Sequence, residues 1–283
     1  MSATDRRLLP ARPDLAAAHL RGAVQAERFV EGVAKRVVDA IAPLRRAPAL
    51  DAALDTEALF GETVTVYETT DEGWAWGQLD LDRYVGWLPA NALGELSAPP
   101  THRVNALRTF VFPQPDIKTP PLMALPFASR LAVVREQEDF TVTEQGGFVP
   151  RQHVVPLAHR EPDFVATARR FLGAPYLWGG RSPLGLDCSG LVQLALQAAG
   201  IDCPRDSDMQ AGIGAAVEFK GDLSKLRCGD LVYWKGHIGF VADSGRLLHA
   251  NAFHMAVAEE LLTAAVDRIG AGGSEIRTVR RIE

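Results

Sequence analysis

Apolar positions along the chain follow three regimes. From Asp14 to Ile41 they recur at helical spacing (Leu15, Leu20, Val24, Phe29, Val33, Val37, Ile41), interrupted at Gly22 and Gly32 and ending before Pro43. That spacing predicts one or two helices packed on a neighbouring element, preceded by a polar, proline-bearing extended arm over residues 1–13. From about Leu59 the period shortens to that of strands, in Thr63–Tyr67, Trp74–Trp76 and Tyr84–Leu88 joined by turn residues. Short strands at close spacing predict a small barrel. Pro99-Pro100 reads as a linker. A second strand-rich segment follows in Leu131–Val134, Phe140–Val142 and Gly147–Pro150, and it reads as a degenerate copy of the first, with a Pro-rich insertion from Pro113 to Pro126. The expected segments are 1–50 (helical), 51–98, 101–158 and 160–283. Barrel core is the expected fate of at least two of Trp74, Trp76, Trp87 and Tyr84.

The third regime carries the chemistry. Leu191, Val192, Leu194, Ala195 and Ala198 share one face of a predicted helix, with Gly200 at the C-cap position and Asp187 as a plausible N-cap. Cys188 then falls in the first turn, where unpaired N–H groups and the helix dipole favour a thiolate. Alone, Cys188 could be a small buried hydrophobe. Two histidines on strand-patterned runs change that reading: His237 in Gly-His-Ile-Gly-Phe-Val and His249 in Leu-Leu-His-Ala-Asn. Nucleophile, base and a group to orient the base are the minimum set for cysteine acyl transfer. A hairpin loop with an odd number of residues centred on Asp243 would set His237 directly opposite His249; a two-residue loop at Ser244-Gly245 would offset them by three positions. His254 is the nearby decoy.

The 283-residue chain is 47% hydrophobic and 23% charged, so packed domains are expected and not disorder. Net charge is −5 and no basic cluster exceeds a pair, which disfavours nucleic acid as a partner. Cys188, Cys203 and Cys228 stand singly, with no CxxC or HxxxH spacing, so neither a disulfide framework nor a metal is expected, and no cofactor. The first thirty residues hold no apolar run of signal-peptide length, and no stretch approaches the ~20 apolar residues that span a bilayer. A cytoplasmic monomer without a membrane partner is the expectation.

Several ordered motifs add up to a resemblance over residues 160–283: Phe171-Leu-Gly-Ala-Pro-Tyr-Leu-Trp-Gly-Gly180, Asp187-Cys-Ser-Gly190, Pro204-Arg-Asp-Ser207, Gly229-Asp-Leu231, His237-Ile-Gly239 and Leu248-His-Ala250. This segment resembles the NlpC/P60 cysteine peptidases, with Leu177 standing where the family often has glycine. Gly61-Glu62, Val64, Val66, Gly73-Trp74 and Tyr84-Val-Gly-Trp87 resemble a bacterial SH3-like domain. The whole is similar to the γ-D-glutamyl-L-diamino acid endopeptidases that recycle wall peptides. The resemblance implies a multidomain fold: a helical N-terminal segment, two small all-β SH3-like barrels and a papain-like α+β catalytic domain. It implies Cys188 as nucleophile, His237 as base, His249 as orienting residue, and an oxyanion hole of the Cys188 N–H with the Tyr176 hydroxyl. Trp178, Asp187, Ser189, Asp206, Ser207, Glu62 and Tyr84 are the implied substrate-binding residues. Glu62 and Asp206 would suit the free ammonium of an N-terminal L-Ala, since a desolvated charge must be paired. For Glu62 the ordinary alternative is an exposed strand-end acid. Two other functions stay open: a non-enzymatic wall-peptide-binding protein, and an amidase or acyltransferase of the same fold.

Overall fold

The structure, a computed structural model, describes residues 5–282. The first four residues of the expected arm, and Glu283, lie outside the described residues. The chain divides into two compact units between Leu157 and Ala158.

In the first unit seven strands form one antiparallel sheet: β1 (Val33–Val37), β2 (Ile41–Arg45), β3 (Leu54–Leu59), β4 (Thr63–Thr69), β5 (Trp74–Leu79), β6 (Val85–Pro89) and β7 (Leu93–Gly94). Their order is β3-β2-β6-β5-β4-β1-β7. Alternation sets the faces: Val64 and Val66 turn inward onto Val37, Leu44, Leu79 and Leu88, while Thr63 and Thr65 lie on the other face. The boundary expected at residue 51 therefore falls inside one sheet, which begins at Val33. Tyr84 belongs to this core, and Trp74, Trp76 and Trp87 are buried with Leu15 in a second apolar cluster.

The predicted N-terminal helices are not there. Leu15–Ala17 pairs in parallel with Arg28–Val30, and Val33 onward is β1. The periodic set does not share a face, since Leu15 is fully buried and Val33 is 55% exposed. Gly22 sits at φ +83°, and Val30, Val33, Val37 and Ile41 are β-branched, so local preference and pairing both favour extended chain. Nor are residues 5–13 a free arm. Leu8 packs on the sheet core, and the Arg12 guanidinium lies 4.4 Å and 4.9 Å from the Trp76 and Trp87 ring centroids.

Residues 102–156 form short antiparallel strands around their own core of Val104, Val111, Leu125, Leu131, Val149 and Val154. The Pro-rich insertion is part of this set, because Met123–Pro126 returns antiparallel to Arg108–Val111.

The second unit packs helices on a six-stranded antiparallel sheet. Its helices are α1 (Phe164–Arg169), α2 (Cys188–Ala198), the short α3 (Ser207–Gln210) and α4 (Leu262–Ala271). Its strands are β8 (Ala215–Ala216), β9 (Leu231–Trp234), β10 (His237–Ala242), β11 (Arg246–Asn251), β12 (Ala256–Leu261) and β13 (Thr278–Arg281), in the order β8-β13-β9-β10-β11-β12. Helix α2 lies across β10 and β11. It is apolar almost all round and correspondingly buried, with Leu191, Leu194 and Leu196 at 1% exposure or less. Each such leucine contributes roughly 1.5–3 kcal/mol, which anchors the helix start firmly. Gly200, at φ +81°, ends α2 in the left-handed conformation that glycine adopts freely. Among the described residues no helix is long and apolar enough to cross a membrane.

Candidate active site

Helix α2 begins at Cys188 because Asp187 caps it. The Asp187 backbone is extended, and its carboxylate accepts from the Gly190 N–H at 2.7 Å. The carboxylate also accepts from the Gly179 N–H at 2.9 Å and from the Ser189 hydroxyl at 3.2 Å. Arg205, fully buried, grips both of its oxygens at 2.9 Å and 2.7 Å and donates further to Ser189 Oγ and the Gly180 carbonyl. A Cβ on Gly190 would stand 2.4 Å from the Gly180 oxygen, so this glycine lets the helix start lie against the Gly179-Gly180 turn. The thiol is thereby placed near β10, whose Ile238 backbone N–H pulls its pKa down. Ile238 follows His237.

The two histidines meet across the β10–β11 hairpin. The loop is three residues, Asp243–Gly245, and pairs Ala242 with Arg246, Val241 with Leu247 and Phe240 with Leu248. Continued, this register puts His249 opposite Gly239, two positions from His237. Neither expected arrangement holds: the odd loop exists but is centred on Ser244, one residue later. Diagonal neighbours on one face are within reach of long side chains. His237 Nε2 and His249 Nδ1 lie 2.8 Å apart, with ring centroids at 5.0 Å. Gly239 makes this possible, since a Cβ there would come within 3.0 Å of the His249 Cβ. On its far side, fully buried His249 presents Nε2 to Glu260 Oε1 at 2.9 Å. Arg268 on α4 donates to the same oxygen. His254 is not beside His237; its Nδ1 bonds Asn251 Oδ1 at 3.0 Å.

Burial, and then the Asp187 carboxylate, push the Cys188 thiol up to about 12, against the opposing pull of the Ile238 N–H, Arg205 and the Ser189 N–H. The helix start does not win: desolvation exceeds it, and the resting thiol is protonated. His237 is held below the ordinary imidazole range by burial, by the His249 ring and by Arg268, with Glu260 only partly offsetting. His249 is lowered by burial, Arg268 and His254. Both rings are neutral near pH 7. The Tyr176 hydroxyl is raised to about 12, by burial first and then by Cys188 and Asp187, so it remains an O–H donor.

In the second unit His237 and His249 meet on the strand pair that α2 packs against, Cys188 opens α2, and the Tyr176 hydroxyl is near enough to Cys188 to feel its charge. Asp187 and Ser189 flank Cys188 but are committed to Arg205. Trp178 is 67% exposed, Asp206 stands just before α3 and Ser207 opens it. Glu62 and Tyr84 belong to the first unit. Glu62 is buried, accepting from the Leu59 N–H at 3.0 Å, so it is not the exposed acid that was its ordinary alternative. Tyr84 is core. Sequence reasoning missed Arg205, Glu260 and Arg268. Ala258 pairs with His249, so Glu260, two positions on, shares its face, a register visible only once the strands are paired. His249, His254 and Glu260 bring ligand-type atoms within 4.8 Å of one another, but the positive charge at that place is the Arg268 guanidinium.

Comparison with known proteins fits this geometry. Residues 173–266 match the family model described as the NlpC/P60 family, and residues 44–93 match that of the bacterial dipeptidyl-peptidase Sh3 domain. The chain is 30% identical over 228 residues to a γ-D-glutamyl-L-lysine dipeptidyl-peptidase of Bacillus subtilis (strain 168), covering 71% of this chain and 73% of that protein. It is 26% identical to a dipeptidyl-peptidase 6 of Lysinibacillus sphaericus, over 76% of this chain and 86% of the other. The crystal structure of an NlpC/P60 family protein from Bacillus cereus ATCC 10987 superposes with a TM-score of 0.71 at 22% identity, over 88% of this chain and 99% of that one, which shows a shared fold.

Proposed function

The chain belongs to the NlpC/P60 family of cell-wall peptidases, and from that premise we propose that it cuts short wall-derived peptides after γ-D-Glu, releasing L-Ala-γ-D-Glu from L-Ala-γ-D-Glu-L-(diamino acid) with a free amino end. The observation that carries the reading is the 2.8 Å contact between His237 and His249, on the strand pair that packs against the helix begun by Cys188. With Nε2 of His237 engaged by His249, Nδ1 is the nitrogen left to take the thiol proton. The chemistry then needs no preformed thiolate. His237 removes the proton as Cys188 Sγ attacks the γ-carbonyl carbon of D-Glu. The oxyanion is held by the Cys188 N–H, one of the helix-start donors that have no acceptor within the helix, and by the Tyr176 hydroxyl. Collapse breaks the C–N bond, and the protonated His237 gives its proton to the departing amine of the diamino acid. A water, deprotonated by His237, then cleaves the thioester and frees the dipeptide.

The substrate assignment is supported by the relatives, whose names are those of γ-D-glutamyl-L-lysine dipeptidyl-peptidase and dipeptidyl-peptidase 6. Side-by-side mass spectrometry of the free tripeptide, its N-acetylated form and intact sacculi tests it. The free peptide is expected to be cut and the other two spared. Equal cleavage of the acetylated peptide or of sacculi would remove the free-amine requirement.

A further inference from the structure

Beyond Cys188, His237 and His249, two further groups complete a line of hydrogen bonds running from α4 to the base. Arg268 donates to Glu260 Oε1, Glu260 Oε1 faces His249 Nε2 at 2.9 Å, and His249 Nδ1 faces His237 Nε2 at 2.8 Å. The direction of every bond in this line follows from its first member. A guanidinium has no acceptor, so Glu260 Oε1 accepts. A carboxylate oxygen cannot donate, so His249 Nε2 carries a proton. A neutral imidazole protonated on Nε2 is an acceptor at Nδ1, and so His237 must donate from its own Nε2. His237 is then left with its lone pair on Nδ1, the nitrogen that has to receive the thiol proton.

We propose that Glu260, held in place by Arg268, is a positioning residue that fixes the tautomers of His249 and, through it, of His237. The inference rests on the base role given to His237 above. It differs from a plain ion pair in what it requires. Glu260 acts as an acceptor of fixed orientation, and its negative charge is largely answered by Arg268, whose guanidinium also lies 4.2 Å from the Phe253 ring centroid. The other polar groups around His249 do not compete for the role. His254 lies on the loop after β11, and its Nδ1 is directed to Asn251 Oδ1, which also accepts the His254 backbone N–H at 2.8 Å and so behaves as an acceptor. Trp234, beside His237 at 5.7 Å between ring centroids, has an indole N–H that can only donate. Without Glu260, nothing among these groups obliges His249 to keep its proton on Nε2. A His249 protonated on Nδ1 would turn a donor toward His237 Nε2 and move the His237 proton to Nδ1, where it cannot take one from sulfur.

The test uses the 283-residue chain as wild type, Glu260→Gln and Glu260→Leu. Gln keeps an acceptor oxygen, which both Arg268 and His249 would still orient; Leu removes it. Long-range ¹H–¹⁵N spectra of ¹⁵N-histidine-labelled protein read the tautomers, and steady-state assays on the free tripeptide read kcat and KM. Wild type is expected to show His237 and His249 both protonated on Nε2. Glu260→Gln should keep these tautomers and stay within about 3-fold in kcat. Glu260→Leu should lose the single tautomer at His237 and fall roughly 10- to 100-fold in kcat with KM within about 2-fold, a smaller loss than the about 10²–10⁴ that a general base itself supplies. A wild-type spectrum with His249 protonated on Nδ1 overturns the proposal whether or not either variant folds. So does a folded Glu260→Leu protein with unchanged tautomers and kcat, or a folded Glu260→Gln protein as impaired as the leucine variant. The spectra need no substrate, so failure of the peptide assignment and failure of this one are told apart: a wild type that shows the stated tautomers yet cuts no wall peptide removes only the former.

Discussion

Removing Arg205 gives a test of what Asp187 is for. Arg205 is fully buried and Asp187 nearly so, and the guanidinium makes two contacts to the carboxylate, at 2.9 Å and 2.7 Å, plus one each to Ser189 and Gly180. Breaking a buried pair by deleting one partner costs about 3–5 kcal/mol, because a desolvated charge is left uncompensated. Here Asp187 would keep the Gly179 and Gly190 N–H groups and the Ser189 hydroxyl, which places Arg205→Met at the lower end, about 3 kcal/mol. At about 1.4 kcal/mol per factor of ten, opening of α2 becomes about 100-fold easier. Hydrogen exchange of the α2 amides, resolved by peptide mass spectrometry, reads that change directly. Asp187→Asn with Arg205→Met should recover part of the loss, since neither charge remains to be paired. Protection within about 3-fold of wild type in Arg205→Met, together with a raised KM, would refute the reasoning and make Asp187 a substrate ligand first.

Two further outcomes follow from the protonation states. Alkylation of Cys188 by iodoacetamide, followed by mass spectrometry, should keep accelerating through pH 9 and 10, because burial and Asp187 hold the thiol up to about 12; a plateau below pH 7 would instead reveal a standing thiolate–imidazolium pair. His237 and His249 are both depressed in the folded unit, while unfolded histidine titrates near about 6.5. Below that value the unfolded chain binds protons that the folded site refuses, so their contribution to stability is complete above pH ~6.5 and is lost as pH falls. Thermal unfolding of the wild type should weaken between pH 6.5 and 5, with a shallower slope in His249→Asn; a midpoint unchanged over that window would contradict the burial of both rings.

The sequence was most informative where the determinants are local. Asp187 before Cys188 and Gly200 after Ala199 mark the ends of α2 within a dozen residues, and the two histidines read on neighbouring strand-patterned runs do meet. Register was harder, because it depends on the loop. The type of turn at Asp243–Gly245 decides whether His249 faces His237 directly, diagonally or not at all, and Gly245 alone permits more than one answer. The N-terminal segment misled because seven apolar residues fell at helical spacing by coincidence, while its glycines and β-branched residues suited pairing. Glu260 was illegible for another reason: beside Glu259 it looks like the solvated edge of a strand, and only Arg268, from the following helix, turns it into a fixed acceptor. Arg205 stood inside the Pro204–Ser207 motif, but its role was not legible, since its partner lies eighteen residues earlier.

The central claim is that Cys188 forms a covalent acyl bond to the γ-carbonyl of D-Glu. Rapid acid quench of wild-type protein mixed with the free tripeptide, followed by peptide mass spectrometry, tests it at one atom. The account predicts L-Ala-γ-D-Glu as a thioester on the peptide containing Cys188, with none on those containing Cys203 or Cys228, and no turnover by Cys188→Ala. An acyl group on another residue, or undiminished hydrolysis by a contaminant-free Cys188→Ala protein, would contradict it.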